Sequence, residues 1–99
     1  MKKISIKQAF HDDYVSRVAG ERLRHLIVES VQNKESVCLD FEGVVIASTS
    51  FFDEGIAKLA LEGWDQELLK KWVRFERVNT RDRKVMERVC EFRGLKIDS

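Results

Sequence analysis

Three adjacent hydroxyl side chains stand near the centre of the sequence, within the run "LDFEGVVIASTSFFDEGI". Ser48, Thr49 and Ser50 separate an apolar stretch from an acidic stretch with helical spacing. The N-terminus of a helix carries partial positive charge and unpaired N–H groups, so hydroxyls there can cap the helix or can carry a phosphoryl group. Ser50 followed by Asp53 resembles a capping box. A purely structural cap and a modifiable surface both fit this pattern.

Carboxylates near the same segment raise the question of acid–base or metal chemistry. Asp53 and Glu54 are adjacent, and adjacent residues of a helix point about 100° apart, so they do not converge easily on one substrate atom. In the first turn they more simply complement the helix dipole. We predict a non-enzymatic protein; an enzyme that uses these two residues and Asp40 is the remotest alternative.

Metal and nucleotide sites have no recognisable motif in the sequence. His11 and His25 are isolated, and no cysteine or carboxylate stands at ligand spacing from them. Neither of the glycine-rich patterns that cradle phosphates occurs. We therefore expect neither a metal nor a cofactor.

Charge is distributed unevenly, although the net charge is only +1. Residues 1–69 carry eight basic and twelve acidic side chains, whereas residues 70–96 carry ten basic and four acidic ones. Arg81, Lys84 and Arg88 fall at i, i+3 and i+7, on one face of a predicted helix, where a phosphate backbone could bind. Nucleic-acid binding through this patch is the alternative function, and a solvated face or an acidic protein partner is the interpretation that we favour.

Length and composition favour one small domain. The 99 residues include no proline and no linker-like segment, so we assign residues 1–99 to a single domain. No apolar run approaches the roughly 20 residues of a membrane span, so we expect a cytoplasmic location and no membrane partner. Cys38 and Cys90 lie too far apart for a metal knuckle and are expected to be reduced and packed.

Hydrophobic periodicity predicts alternating strands and helices. Strands are expected at "KKISIKQAF", "SVCLDF", "VVIA" and "VRFERV", with "LKI" as a short additional edge. Helices are expected after Ser16, from Ser50 to Gly63, as one turn after Asp65, and after Asn79 or Thr80. In the last helix, Val85, Val89 and Phe92 are the predicted core line, with Met86 and Cys90 beside it. This order predicts an α/β domain whose helices pack on a small sheet with some parallel pairing.

Three short blocks of the sequence occur in the order found in a known family. They are Ser16 and Arg17 with Leu23, then "LDFEGV", then Phe51 with Asp53 and Glu54. Together they resemble the bacterial STAS-like family of small domains, which is related to the STAS domain of anti-sigma factor antagonists. The resemblance runs from residue 14 to about residue 92 and implies an α/β fold with a small mixed sheet of about four strands flanked by helices.

The resemblance also implies a role in partner switching. In antagonists of that kind, a GHKL-type serine kinase phosphorylates a turn serine and thereby controls partner binding. Aligned from Asp40, Thr49 takes the place of that serine, Ser48 that of an Asp, and Phe51 that of a Gly. The implied phosphorylation candidates are Thr49 and Ser50. The implied partner-binding residues are Ser48, Thr49, Ser50, Phe51, Asp53 and Glu54. The resemblance also implies that Ser16 and Arg17 lie near this surface. The oligomeric state stays open.

Overall fold

The structure, a computed structural model, describes residues 1–97 of the chain. Three strands and five α-helices alternate along it, with one 3-10 segment after the third helix. In chain order they are β1 (Lys2–Ser5), α1 (Ile6–Ala9), α2 (Arg17–Gln32), β2 (Val37–Asp40), α3 (Thr49–Gly55), the 3-10 segment (Ala57–Glu62), α4 (Gln66–Trp72), β3 (Val73–Glu76) and α5 (Thr80–Phe92). No helix in this part of the chain is long and apolar enough to cross a membrane.

The sheet is parallel throughout and has the order β1-β2-β3. Ile4, Leu39 and Phe75 lie in register and point to one face, where the hydrophobic core and the helices are. Alternate residues of these strands, such as Ser5, Asp40 and Glu76, point to the opposite face, which is polar. The α/β class is as predicted, but the described residues form three strands rather than about four, and the sheet is not mixed.

The missing fourth strand is "VVIA", which the apolar pattern assigned to the sheet. Residues 44–48 are irregular, and the N–H groups of Ile46 and Ala47 donate to the two carboxylate oxygens of Asp82, at 2.7 and 2.8 Å. The side chains of Val44 and Ile46 are nevertheless buried. A side-chain carboxylate therefore satisfies backbone groups that a neighbouring strand would otherwise pair. The "LKI" segment, residues 95–97, forms no strand either.

Helix α2 follows the prediction closely. The Ser16 hydroxyl accepts a hydrogen bond from the N–H of Ala19, as an N-cap does. Leu23 and Ile27 are fully buried on the predicted stripe. Ser30 is also buried on this stripe, and its hydroxyl donates a hydrogen bond to the Leu26 carbonyl of the same helix. This helix supplies one wall of the core.

The N-terminal strand and the central helix are both shorter than predicted. The strand ends at Ser5, whose hydroxyl accepts a bond from the Gln8 N–H and starts α1. The central helix begins at Thr49 rather than after Ser50 and ends at Gly55, after which a 3-10 segment continues to Gly63. Glycine is a poor helix former, which is consistent with the break there, and Gly63 closes the segment at φ 86° as predicted.

The last helix, α5, is rotated relative to the prediction. Asn79 caps it through the Asp82 N–H, as expected. However, Asp82, Met86 and Cys90 form the buried line, and Phe92, predicted in the core, is 93% exposed. The pattern missed this because it gave the buried positions to apolar residues only, whereas the inner face begins with an aspartate.

Candidate functional site

The predicted hydroxyl segment lies between a buried strand and the start of α3, and α5 fixes its position. Asp82, only 1% exposed, accepts hydrogen bonds from the N–H groups of Ile46 and Ala47 and from the Asn79 side chain at 2.8 Å. Ala47 adopts φ 49°, a left-handed conformation that is unusual for a residue with a side chain. The loop is thus held in one geometry just before Ser48. The sequence-based prediction did not include Asp82. Its position three residues after the N-cap Asn79, within the first turn of the predicted helix, is the signal that could have identified it.

The three hydroxyls differ in what surrounds them. Ser48 is the N-cap of α3 by position, but its hydroxyl donates to the Val15 carbonyl at 2.8 Å and makes no capping bond. Thr49 is exposed, and Ser50 is half-buried inside the first turn. Thr49 is therefore the most accessible hydroxyl of the three.

Phe51 and Phe52 anchor α3 in the core, and both are fully buried. The Phe51 ring packs edge-on against Phe10 with centroids 5.9 Å apart, and Phe52 packs against Phe41 at 6.0 Å. Phe51 was predicted among the partner-binding residues. The structure places it where no partner can touch it, so its role here is to hold the helix.

Asp53 and Glu54 form ion pairs that tie three helices together. Asp53 accepts hydrogen bonds from Arg93, the residue that directly follows α5, at 2.5 Å and from Arg17 of α2 at 3.0 Å. Glu54, 7% exposed, bonds Lys58 at 2.5 Å and also pairs with Arg17 and Arg24. Neither carboxylate projects freely into solvent, although both were predicted to contact a partner.

These pairs lower the pKa of both carboxyl groups. The hydrogen bond from Arg93 is the main cause for Asp53, and that from Lys58 is the main cause for Glu54. Asp40 also has a lowered pKa, because Arg77 bonds it, but it lies on the polar face of the sheet, away from α3. The three carboxylates of the enzyme alternative are therefore not gathered, and each is held in its ionised form. No cluster of metal-ligating side chains occurs within residues 1–97.

Close contact between α2 and α3 brings the ion pairs together. A Cβ atom built on Gly20 would lie 2.7 Å from the Cβ of Glu54 and 2.8 Å from the Phe51 carbonyl oxygen, so no larger residue fits without movement. The start of α2, with Ser16 and Arg17, therefore lies beside the start of α3. The family resemblance implied this neighbourhood.

A shallow hollow of about 340 Å³ opens where the starts of α2 and α3 meet the end of α5. Thr49 lines it together with Val89, Arg88 and Phe92 of α5, and the Arg17–Asp53–Arg93 ion pairs form its polar side. Exposed apolar side chains also occur at the start of α2, where Val15 is 45% and Val18 is 74% exposed. Large exposed apolar side chains near a hollow are typical of interaction sites. We call the hollow and Val15 and Val18 the α3 surface.

The basic patch predicted on α5 is exposed. Arg81, Lys84 and Arg88 all reach solvent, and Glu87 and Glu91 alternate with them along the same helix. Arg88 also lines the hollow, so the patch and the α3 surface are continuous at that residue.

Both cysteines are free and buried, as expected. Burial raises the pKa of Cys38 to about 11 and that of Cys90 to about 12. Thiols of that kind are poor nucleophiles at neutral pH.

The ion pairs predict a loss of stability in acid. A carboxyl group whose pKa is lower in the folded state stabilises the fold fully above its ordinary pKa, and this contribution is lost as the pH falls through the folded value. The ordinary values are 3.8 for Asp53 and 4.5 for Glu54. As the pH drops below about 5, the free energy of unfolding should therefore decrease. This decrease should be less steep in Asp53→Asn, which has no carboxyl group to protonate at that position.

Urea unfolding at several pH values measures this, with Glu35→Gln, at an exposed position, as control. An identical slope in Asp53→Asn and wild type would contradict the assignment.

Asp82→Asn should loosen the loop. An amide has one acceptor oxygen where two backbone N–H groups need acceptors, so the free energy of unfolding should drop by about 1–3 kcal/mol. The N–H groups of Ile46 and Ala47 should exchange with deuterium faster than in wild type. Asp65→Asn is the matched control, because asparagine caps a helix as well as aspartate does and Asp65 caps α4. Unchanged exchange at both amides would show that Asp82 does not hold the loop.

Comparison with known proteins supports the family suggested by the sequence. No curated protein and no solved structure matches the chain at a significant level. The model of one family, described as the STAS-like domain of unknown function (DUF4325), matches residues 19–76, from α2 to the end of β3. This is more than half of the chain, and the protein therefore belongs to the STAS-like family.

Proposed function

We propose that this STAS-like domain is a non-enzymatic, cytoplasmic protein-interaction module that binds its partner through the α3 surface. The observation that carries the proposal is Phe92, which is 93% exposed on a helix fixed by buried Asp82, Met86 and Cys90. Exposing an aromatic ring on a rigid element costs free energy in water, and aromatic side chains are enriched among residues that dominate binding.

The rest of the α3 surface suits a protein partner. Apolar area from Val89 and Phe92 is bordered by the charged side chains of Arg17 and Arg88. An apolar centre with a polar rim is the usual anatomy of a protein interface. Thr49 and Asp53 line the hollow, Ser48 and Ser50 flank Thr49 in the chain, and the buried Phe51 and Glu54 support the surface from the inside.

We further propose a regulatory role like that of an anti-sigma factor antagonist, with a GHKL-type kinase as the partner class. The family resemblance suggests this role, and the exposure of Thr49 beside the hollow is compatible with it. A phosphate on Thr49 would add about −1.5 to −2 charge at the edge of the docking surface. Arg17 and Arg88 line the same hollow and can pair with it, while Asp53 would repel it.

Replacing exposed residues of the α3 surface should weaken binding without unfolding the protein. Against a purified GHKL-type ATPase from the same genome, Phe92→Ala and Thr49→Glu should each raise Kd about tenfold or more. The first change removes an aromatic contact, the kind that dominates binding, and the second places a negative charge on the docking surface. Calorimetry measures Kd, and circular dichroism checks the fold. Leu61→Ala, 69% exposed on the 3-10 segment, is the matched control and should bind normally. Equal Kd values for wild type, Phe92→Ala and Thr49→Glu would reject this surface.

Phosphorylation should occur at Thr49 if the partner is a kinase. After incubation with the ATPase and ATP, mass spectrometry should find one added phosphate, which is lost in Thr49→Val and kept in Ser50→Ala because the Ser50 side chain is half-buried. A phosphate retained in Thr49→Val, or none in wild type, would remove phosphoryl control from the proposal and leave partner binding to its own test.

A further inference from the structure

The hollow of the α3 surface combines an excess of positive charge with an exposed aromatic ring. From this we infer that the segment it binds presents a carboxylate beside an apolar side chain, and that Arg88 recognises the carboxylate. The inference rests on the proposed function and adds to it the chemistry of the partner. Three observations support it: the free side chain of Arg88, the charge balance of the hollow, and the position of Phe92.

Arg88 keeps its side chain free of partners within residues 1–97. It is exposed on α5, lines the hollow, and takes part in no hydrogen bond or ion pair with another described residue. A guanidinium group has five N–H donors in a planar arrangement that matches a carboxylate. Arg88 can therefore bind an incoming carboxylate through two parallel hydrogen bonds without breaking any existing contact.

Arg17 and Arg93 are already paired, but their pairs leave some of their donors unused. Arg17 donates only from Nη1, to Asp53 at 3.0 Å and to Glu54 at 3.1 Å. Arg93 donates from Nε and Nη2, both to Asp53. Within the described part of the chain, Nε and Nη2 of Arg17 and Nη1 of Arg93 make no hydrogen bond. The hollow thus retains donors in addition to those of Arg88.

The positive excess remains after the existing ion pairs are counted. Three guanidinium groups, those of Arg17, Arg88 and Arg93, line the hollow with one carboxylate, that of Asp53. The ion-pair network behind them adds two cations and two carboxylates, so five cations stand against three carboxylates. These additional residues are Arg24, Lys58, Glu54 and Glu62. A surface with this balance favours an acidic partner and disfavours a basic one.

Phe92 and Val89 make the other part of the hollow apolar. Phe92 is 93% exposed, and Val89 is half-buried beside it on α5. A protein segment can cover both with an apolar side chain and place a neighbouring carboxylate on Arg88. A nucleic acid strand brings a phosphate with every nucleotide, and the carboxylates of Asp53, Glu87 and Glu91 would repel those that no arginine binds. The arrangement therefore favours a protein segment.

The first test compares two short blocked peptides, added to the full chain. Both contain leucine and alanine, and they differ only in carrying glutamate or glutamine. By NMR we expect saturable shifts of the Thr49 and Phe92 amides, with a Kd about fivefold lower for the glutamate peptide. Arg88→Glu should abolish this preference. Arg81→Glu, a matched charge reversal on the same helix but outside the hollow, should keep it.

The second test separates this inference from the proposed function. Against the GHKL-type ATPase, Arg88→Glu should raise Kd about fivefold or more and reduce the salt dependence of binding, and Arg81→Glu should have little effect. A raised Kd in Phe92→Ala with an unchanged Kd in Arg88→Glu would overturn the inference and leave the docking surface in place. Preference for the glutamate peptide without binding of the ATPase would uphold the inference and reject only that partner class.

Other outcomes also overturn the inference. Equal binding of the glutamate and glutamine peptides would show that no carboxylate is recognised. A preference for glutamate that persists in Arg88→Glu would remove Arg88 from the role. A single-stranded DNA oligonucleotide that displaces the glutamate peptide and binds more tightly would identify a nucleic acid as the occupant. No shift with either peptide at millimolar concentration, with the fold intact, would show that the hollow does not accept such a segment.

Discussion

The carboxylate of Asp82 determines how the middle of this protein is arranged. It is buried at the first turn of α5 and bonds two successive backbone N–H groups of the loop that leads into α3. Without it the buried N–H group of Ile46 would be unpaired, which costs about 1–3 kcal/mol. With it, the loop does not need a neighbouring strand, so residues 1–97 form a sheet of three strands and the hydroxyl segment is turned toward the surface beside Arg17. One side chain thus links the strand count, the position of α5 and the geometry of the α3 surface.

The packing of α3 adds a second constraint of the same kind. Gly20 allows α2 and α3 to touch, Phe51 and Phe52 fix the inner side of α3, and the ion pairs of Asp53 and Glu54 connect its outer side to α2 and α5. Charged groups this close to a core are stable only when paired. The rigidity of the surface therefore comes from buried packing and from ion pairs, and the Arg17–Asp53–Arg93 pairs also line the hollow.

Local patterns predicted much of this fold. The structure has the helix starts at Ser16 and Asp65 and the stop at Gly63 where they were expected, and of the two predicted caps Asn79 and Thr80 it has Asn79. Each of these signals acts within a few residues of chain. The helix after Asp65 has seven residues rather than the one turn that was predicted. The errors arise where a distant residue decides. "VVIA" is apolar and β-branched, but Asp82 lies 36 positions away from Ile46, and no periodicity of the loop records that bond. Phe92 was assigned to the core because apolar spacing alone cannot identify a helix whose inner face begins with an aspartate.

The predicted site residues, 48–54, differ in how far they are exposed. The sequence did not distinguish side chains that face solvent from those that face the core, since alternation in a short helix start is ambiguous. Burial divides the set: Thr49 is exposed, Phe51 is inside, and Asp53 and Glu54 are engaged with cations. The apolar spacing of α5 placed Phe92 in the core, whereas the structure leaves its ring exposed, because a helix whose inner face begins with an aspartate is rotated from the position that apolar residues alone predict.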